Sequence, residues 1–235
     1  MNLPPQALPS SPRRLLIAHR GACLHAPENS LAAFDLALAQ GCHGFEFDVR
    51  LTSDSVPVVF HDETLAGAAI AAISFGELQE LAKLAGKGPL ATLGEVLQRY
   101  AGTAILDIEL KVAGMETLVL SALRKNPPQC TFWVSSFLPE VLTRMHELDA
   151  GIALGLICRN RDQMRGWREL PLAAMILNRS LISAELVREV QAAGRRVFVW
   201  TVNDPHEMRQ LQALGVDGII SDETVRMTAA LKATE

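Results

Sequence analysis

The chain has 235 residues, of which 49% are hydrophobic and 20% charged, and its formal net charge is −4. This composition is sufficient for the core of one barrel or α/β domain, and it excludes a disordered chain. The acidic balance argues against a general nucleic-acid or membrane-surface binder, so an anionic substrate would have to be held by a few local cations or a metal. No segment approaches the roughly 18 consecutive apolar residues of a membrane span.

The first residues and the cysteines bear on compartment and domain organisation. Residues 1–12 are rich in Pro and Ser and lack the basic and apolar regions of a secretory signal, so we expect a flexible tail before a single domain over residues 13–235. The four cysteines are scattered without CxxC spacing, which indicates neither a zinc site nor a disulfide scaffold. We therefore expect a cytoplasmic protein with reduced thiols.

Short apolar runs alternate with amphipathic segments from residue 15 onwards. A first strand is expected at residues 15–18, followed by a helix that Ser30 caps and Gly41 ends. A second strand is expected at residues 44–49, with an extended piece after it. Residues 63–98 then break the pattern, because Ala-rich and Gly-rich pieces flank two short helical patterns. This predicts a small insertion after the second strand.

The regular alternation resumes after the insertion. Six further strands are expected, at residues 104–110, 131–135, 152–158, 173–177, 197–202 and 218–220. Eight apolar strands, mostly separated by helices, favour an α/β fold of the (β/α)8 TIM-barrel type. An open doubly wound sheet is the alternative, but no GxGxxG turn follows the first strand to suggest a dinucleotide site.

The second strand carries two carboxylates that are two residues apart. Glu46 and Asp48 should lie on one face, with Phe45, Phe47 and Val49 on the other. Two like charges on a buried strand need a counter-charge, and carboxylate oxygens are the ligands that a hard divalent cation takes. A half-exposed edge strand with a solvated acidic face remains the other explanation.

Titratable residues concentrate at the ends of the first three strands. In a TIM barrel the active site forms at the carboxyl-terminal ends of the strands. The residues concerned are His19, Arg20, Glu46, Asp48, His61, Asp62, Asp107, Glu109 and Lys111. Such a set could hold a divalent cation, shuttle protons near neutral pH and bind a phosphate or a carboxylate.

Several sequence blocks occur in a characteristic order between residues 19 and 222. They are His19-Arg20-Gly21, Pro27-Glu28-Asn29-Ser30, Glu46-Phe47-Asp48-Val49, Pro57-Val58-Val59-Phe60-His61-Asp62, Glu109-Leu110-Lys111, Trp200-Thr201-Val202-Asn203 and Gly215-Val216-Asp217-Gly218-Ile219-Ile220-Ser221-Asp222. In these blocks the chain resembles the glycerophosphodiester phosphodiesterase family. The resemblance extends over nearly the whole chain.

The resemblance implies a barrel enzyme of lipid and glycerol metabolism that uses a divalent cation, Mg²⁺ or Ca²⁺. It implies hydrolysis of a small-molecule glycerophosphodiester to an alcohol and sn-glycerol 3-phosphate, by attack of the glycerol 2-hydroxyl and opening of a cyclic phosphate. Carried over by position, the roles are metal ligands at Glu46, Asp48 and Glu109, an acid/base pair at His19 and His61, phosphate contacts at Arg20 and Lys111, and a pocket wall at Trp200. We expect a monomer or homodimer without a nucleic-acid partner.

The chain departs from the family pattern in the insertion, where Leu65-Ala66-Gly67-Ala68-Ala69 replaces an Arg-Thr-Thr block. A compact, apolar cap of this kind also suits lysophospholipids, so a lysophospholipase D is an alternative. A non-catalytic binding barrel is a third hypothesis. Asp107 is expected to support the site from below, Glu28 and Asn29 to brace the first loop, and the other histidines, His25, His43, His146 and His206, to lie outside the site.

Overall fold

The computed structural model describes residues 14–232, so the predicted tail over residues 1–12 lies outside it. In chain order the strands are β1 (Leu15–His19), β2 (Gly44–Leu51), β3 (Pro57–Val59), β4 (Thr64–Leu65), β5 (Ala68–Ala69), β6 (Ile105–Leu110), β7 (Phe132–Ser136), β8 (Leu154–Cys158), β9 (Ala174–Asn178), β10 (Arg196–Trp200) and β11 (Gly218–Ser221). Eight of them form a closed parallel barrel in the order β1-β2-β6-β7-β8-β9-β10-β11, because β1 pairs with both β2 and β11. The predicted TIM barrel is confirmed.

Helices surround this barrel. They are α1 (Leu31–Ala39), α2 (Phe75–Leu84), α3 (Leu93–Tyr100), α4 (Glu116–Lys125), α5 (Pro139–Leu148), α6 (Ala184–Ala192), α7 (Pro205–Ala213) and α8 (Thr224–Lys232). Ser30 caps α1 as predicted, since its hydroxyl accepts a hydrogen bond from the Ala33 amide. Between β8 and β9 the connection contains only a 3₁₀ helix, Asp162–Met164. Within residues 14–232, no helix combines the length and apolarity that a membrane crossing requires.

The aromatic side chains of β2 determine which way its carboxylates point. The Phe45 ring stacks on the Phe34 ring of α1, with 4.1 Å between the ring centres. It meets the Tyr100 ring of α3 edge-on, with 5.0 Å between the centres. All three rings are buried between the barrel and its helices. Since neighbouring residues of a strand face opposite sides, this packing turns Glu46 and Asp48 towards the inside of the barrel.

The lower part of the barrel is filled with apolar side chains. The ring centres of Trp133 in β7 and Phe198 in β10 are 4.7 Å apart, and both side chains are fully buried. The strands also approach closely where β2 begins, since a Cβ on Gly44 would lie 1.9 Å from the carbonyl oxygen of Ile105. This packed floor leaves the carboxyl-terminal mouth as the part of the barrel where polar groups can meet a ligand.

The segment between β2 and α3 forms a cap beside the mouth. β3 pairs antiparallel with β2, β4 and β5 form a small hairpin, and α2 follows. The cap has its own apolar cluster, formed by Val58, Phe60, Leu65, Ile70, Leu78, Ala82 and Leu90. α3 begins within the predicted insertion bounds of 63–98 but ends two residues beyond them, and it packs on the main core through Leu93, Val96 and Leu97. It occupies the barrel's helix position between β2 and β6.

Candidate active site

Three buried carboxylates meet at the mouth of the barrel. One oxygen from each of Glu46, Asp48 and Glu109 lies within 4.8 Å of the others. The strand register explains this, because β2 and β6 are parallel neighbours with Asp48 directly opposite Glu109. β2 is an interior strand and all three groups are buried. The explanation of a solvated acidic face on an edge strand is therefore wrong.

Two cations partly neutralise this cluster. Lys111 Nζ lies 2.5 Å from Glu109 Oε1 and 3.1 Å from Asp48 Oδ1. Arg20 Nε lies 3.2 Å from Asp48 Oδ2 on the other side. Although burial opposes ionisation, Lys111 and Arg20 hold the pKa of Asp48 below its usual value. Asp48 is therefore a carboxylate at neutral pH.

Glu46 is less well compensated. Its Oε2 accepts a hydrogen bond from the Arg20 amide at 3.0 Å, whereas its buried Oε1 has no hydrogen-bond partner among residues 14–232. Burial, with the nearby charges of Asp48 and Glu109, raises the pKa of Glu46 well above its usual value. An unsatisfied buried oxygen in a set of hard oxygen donors is what a divalent cation would satisfy. The residues present fit such an ion.

His19 is oriented by a residue from the far end of the chain. Its Nδ1 lies 2.7 Å from Asp222 Oδ1, and its Nε2 lies 4.0 Å from Glu46 Oε2. Asp222 Oδ2 in turn accepts a hydrogen bond from Asn203 Nδ2 at 2.8 Å. Asp222 was not predicted as a site residue, although its position directly after the eighth strand was the available signal. One nitrogen of His19 is thus held by Asp222 while the other points to the carboxylates.

His61 lies at the edge of the cap, two residues after β3, where it lines the mouth of the barrel. Its Nδ1 lies 2.8 Å from Asp62 Oδ1, and its side chain is one-third exposed. The Arg50 guanidinium donates to the His61 carbonyl at 2.8 Å, which ties this segment to β2. His61 therefore has the solvent access and fixed orientation that a proton carrier needs.

Asn29 is a second residue whose role was missed. Its Nδ2 donates to Asp48 Oδ2 at 2.7 Å, and its Oδ1 accepts from the Asp48 amide at 3.1 Å. Asn29 adopts a left-handed backbone conformation with φ of 56°, which Asn tolerates better than most residues. Asn29 was predicted only to brace the first loop. In the structure it holds the Asp48 carboxylate in place.

A cavity at the mouth has a polar side and an apolar side. The polar side is formed by His19, Arg20, Glu46, His61, Asp107, Glu109 and Lys111. The apolar side contains Phe137, Ile157, Ile176, Ile220 and Trp200, with Arg159 at its rim. Trp200 lines this cavity, and its indole donates to the Ile176 carbonyl at 3.1 Å. Phe137 and Arg159, which follow the ends of β7 and β8, were not anticipated.

Asp107 lies next to the three carboxylates but outside their set. It stands opposite Glu46 in the register of β2 and β6, and its Oδ1 accepts a hydrogen bond from Ser135 at 2.5 Å. Burial raises the pKa of Asp107 to about 7.

Among the histidines expected to lie outside the site, His43 is at the opposite end of β2, where its Nδ1 accepts a hydrogen bond from the Leu16 amide at 2.9 Å.

A barrel that gathers its titratable groups on one side of the carboxyl-terminal mouth has the arrangement of a TIM-barrel enzyme, here one suited to an anionic substrate. Comparison with known proteins identifies the family within this class of enzymes. The model of the glycerophosphoryl diester phosphodiesterase family matches residues 19–226. The chain therefore belongs to this family, and it is an enzyme, a glycerophosphodiester phosphodiesterase.

Two bacterial relatives match over nearly their whole length. The chain is 35% identical over 232 residues to YhdW of Bacillus subtilis, with 88% of this chain and 93% of YhdW covered. It is 31% identical over 237 residues to the glycerophosphodiester phosphodiesterase of Caldanaerobacter subterraneus, with 90% and 95% covered. A phosphodiesterase of Oleispira antarctica, solved in complex with the product sn-glycerol-3-phosphate, is 28% identical with a TM-score of 0.82, and 93% and 96% of the two chains are covered.

Replacing Asp222 by Asn should weaken the fold in a pH-dependent way. Although burial opposes it, the hydrogen bond and charge of His19 and the hydrogen bond from Asn203 lower the pKa of Asp222 from 3.8 to about 2. A lowered folded-state pKa stabilises the fold above the unfolded pKa, and this stabilisation is lost as the pH falls through the folded pKa. Asp222→Asn should therefore reduce the free energy of unfolding by about 2 kcal/mol near neutral pH, with the difference shrinking between about pH 4 and pH 2.

Urea unfolding of both proteins at a series of pH values measures this difference. A gap between wild type and Asp222→Asn that stays constant from neutral pH into the acid range would contradict the ionic role of Asp222. Glu140→Gln, which removes an exposed carboxylate on α5, is the matched charge control.

Proposed function

We propose that this enzyme hydrolyses glycerophosphodiesters to an alcohol and sn-glycerol 3-phosphate with a divalent cation, Mg²⁺ or Ca²⁺, at Glu46, Asp48 and Glu109. The observation that carries this proposal is the buried carboxylate set with its unsatisfied Glu46 oxygen, within reach of His19. The product bound to the Oleispira relative supports the same reaction.

The charges of the site support a divalent ion together with a phosphodiester. Three carboxyl groups share the two cations, Arg20 and Lys111, so the site as it stands offers little net positive charge to a phosphodiester anion. When bound, a divalent cation would reverse this balance, lower the pKa of a coordinated hydroxyl and neutralise charge that develops on the phosphate. Arg20 and Lys111 supply N–H donors for phosphate oxygens next to that position.

In our proposal the two histidines divide the proton transfers. His19 faces the carboxylates through Nε2, so it takes the proton of the attacking glycerol 2-hydroxyl in our proposal. His61 borders both the main cavity and a second cavity of about 200 Å³ beneath the cap, so it protonates the alcohol that leaves on that side. Water then opens the cyclic phosphate with the roles of the histidines exchanged.

The second cavity favours one further candidate substrate. Its wall includes Pro27, Val59, Phe60 and Leu90, which are apolar, with Lys87 at the edge. Lys87 Nζ lies 5.4 Å from the centre of the Phe60 ring. An apolar surface beside His61 would accommodate an acyl chain, so a lysophospholipase D activity is the second candidate. A non-catalytic binding barrel has no observation in its favour.

Product release distinguishes these functions. We expect sn-glycerol 3-phosphate from glycerophosphocholine and glycerophosphoethanolamine, loss of this activity in EDTA and its recovery with Mg²⁺ or Ca²⁺. Activity that is indifferent to EDTA would refute the metal dependence. A higher kcat/KM for lysophosphatidylcholine would favour the lysophospholipase D, and tight binding without turnover in any metal would favour a binding barrel. We expect the enzyme to act in the cytoplasm as a monomer or homodimer.

A further inference from the structure

Three cations line the main cavity, and one of them differs from the other two. Arg20 and Lys111 are both engaged in ion pairs with carboxylates of the site. The guanidinium of Arg159 has no carboxylate partner within residues 14–232, although it too lines the cavity. Among the described residues that line this cavity, Arg159 is therefore the cation that is not already paired with a carboxylate.

The guanidinium of Arg159 lies over two aromatic rings, those of Phe137 and Trp200. Its Cζ lies 5.7 Å from the centre of the Phe137 ring and 5.8 Å from that of Trp200. The two rings meet edge-on at 5.6 Å. The backbone amide of Arg159 also donates to Gln163 Oε1 at 2.7 Å, which holds the start of this loop. A guanidinium over aromatic faces keeps its planar edge free for bidentate contact with a phosphate or carboxylate.

The barrel topology separates Arg159 from the reacting centre. Arg159 directly follows β8, and β8 lies four strands from β1 in either direction around the closed sheet. Since His19 ends β1, the two residues stand on opposite sides of the mouth. A phosphate between His19, His61 and the carboxylates would therefore leave Arg159 on the far side of the cavity, across the apolar wall.

We propose that Arg159, supported by Phe137 and Trp200, is a specificity-determining residue that binds a second anionic group of the substrate. This inference rests on the proposed function and adds a substrate class to it: glycerophosphodiesters that carry a further phosphate or carboxylate. If His61 protonates the alcohol that leaves beneath the cap, the glycerol unit lies on the other side of the phosphorus, along the apolar wall of the main cavity. The second anion is then a phosphate on the free primary hydroxyl of that glycerol unit.

A comparison of three substrates tests this assignment. They are glycerophosphocholine, the same compound phosphorylated on its free primary hydroxyl, and glycerophosphoserine, whose extra carboxylate lies in the alcohol. The quantity measured is the ratio of kcat/KM for each anionic substrate to that for glycerophosphocholine. In Arg159→Gln we expect the ratio for the phosphorylated compound to fall about tenfold, the size of one charge-assisted hydrogen bond.

Two further variants make the result specific to the guanidinium. Arg159→Lys should give an intermediate ratio, because an ammonium keeps the charge but loses the planar, bidentate edge. Arg161→Gln removes the same charge two residues away, outside the residues that line the cavity, and should leave the ratio unchanged. The difference between wild type and Arg159→Gln should also shrink in high salt, since Arg159 is exposed.

The outcomes separate this inference from the proposed function. A ratio that falls only for glycerophosphoserine would overturn the placement of the anion on the glycerol unit. Equal losses on all three substrates, or no change in either ratio, would overturn the role in specificity. If the wild type releases no product from any substrate, the proposed function fails, and Arg159 is then tested by calorimetry. Weaker binding of glycerol 1,3-bisphosphate relative to sn-glycerol 3-phosphate in Arg159→Gln supports the subsite, and an unchanged ratio overturns it.

Discussion

Replacing His19 or His61 by alanine is expected to lower kcat about 10²–10⁴-fold for each histidine, the usual contribution of a general acid or base. The His61 ring is one-third exposed, so the melting temperature of His61→Ala should change by only a few degrees, whereas His19→Ala also loses the contact with Asp222 and should be destabilised about as much as Asp222→Asn. The double variant should lose less than the product of the two single effects, because both residues act in the same proton transfers. Steady-state release of sn-glycerol 3-phosphate with glycerophosphocholine measures all three variants.

A matched histidine gives the control for this experiment. His25 is exposed in the first loop and does not line the cavity, so His25→Ala should retain wild-type kcat. Added imidazole should restore part of the activity of the two alanine variants, because it can enter the space that the ring has left. Full activity of His61→Ala, or a loss explained by unfolding, would contradict the assignment of the acid/base pair.

Replacing Glu46 by Gln should have opposite effects on function and on stability. The neutral amide removes one oxygen donor, so we expect divalent-cation affinity and activity to fall at least about 100-fold. Without metal, the same change removes a buried group whose ionisation burial, Asp48 and Glu109 all oppose. The metal-free variant should therefore unfold at a higher urea concentration than the metal-free wild type.

Metal-induced stabilisation connects these two effects. A cation at about 100 times its dissociation constant stabilises the folded wild type by about 2.7 kcal/mol, and Glu46→Gln should lose most of this gain. Glu140→Gln, on the exposed face of α5, should behave like the wild type with and without metal. If Mg²⁺ and Ca²⁺ stabilised Glu46→Gln as strongly as the wild type, Glu46 would not be a ligand.

The sequence was informative wherever a short-range pattern decided the outcome. The alternation along β2 predicts that Glu46 and Asp48 share a face, since residues two apart in a strand point the same way. The regular exchange of apolar runs and helical segments predicts eight parallel strands, and the closed sheet confirms it. These features depend on neighbouring residues and on rules that hold for every strand, so they can be derived without coordinates.

The contacts of Asp222 and Asn29 could not be predicted from such patterns, because they depend on where distant segments of the chain meet. Asp222 contacts His19 across 203 positions of sequence, and it does so only because β11 closes the barrel against β1. Asn29 reaches Asp48 from a loop in a left-handed backbone conformation that local patterns do not specify. Neither contact follows from the spacing of residues along the chain.

By itself, the sequence determined the barrel, its helices and the face on which the acidic pair of β2 lies. Only the tertiary structure decided which groups surround that pair and which charges remain uncompensated. Within residues 14–232, a Glu46 oxygen has no hydrogen-bond partner and the Arg159 guanidinium has no carboxylate partner, and neither feature is visible in the sequence. The physical reason is that charge compensation in a buried site depends on distances of a few ångströms between strands far apart in sequence.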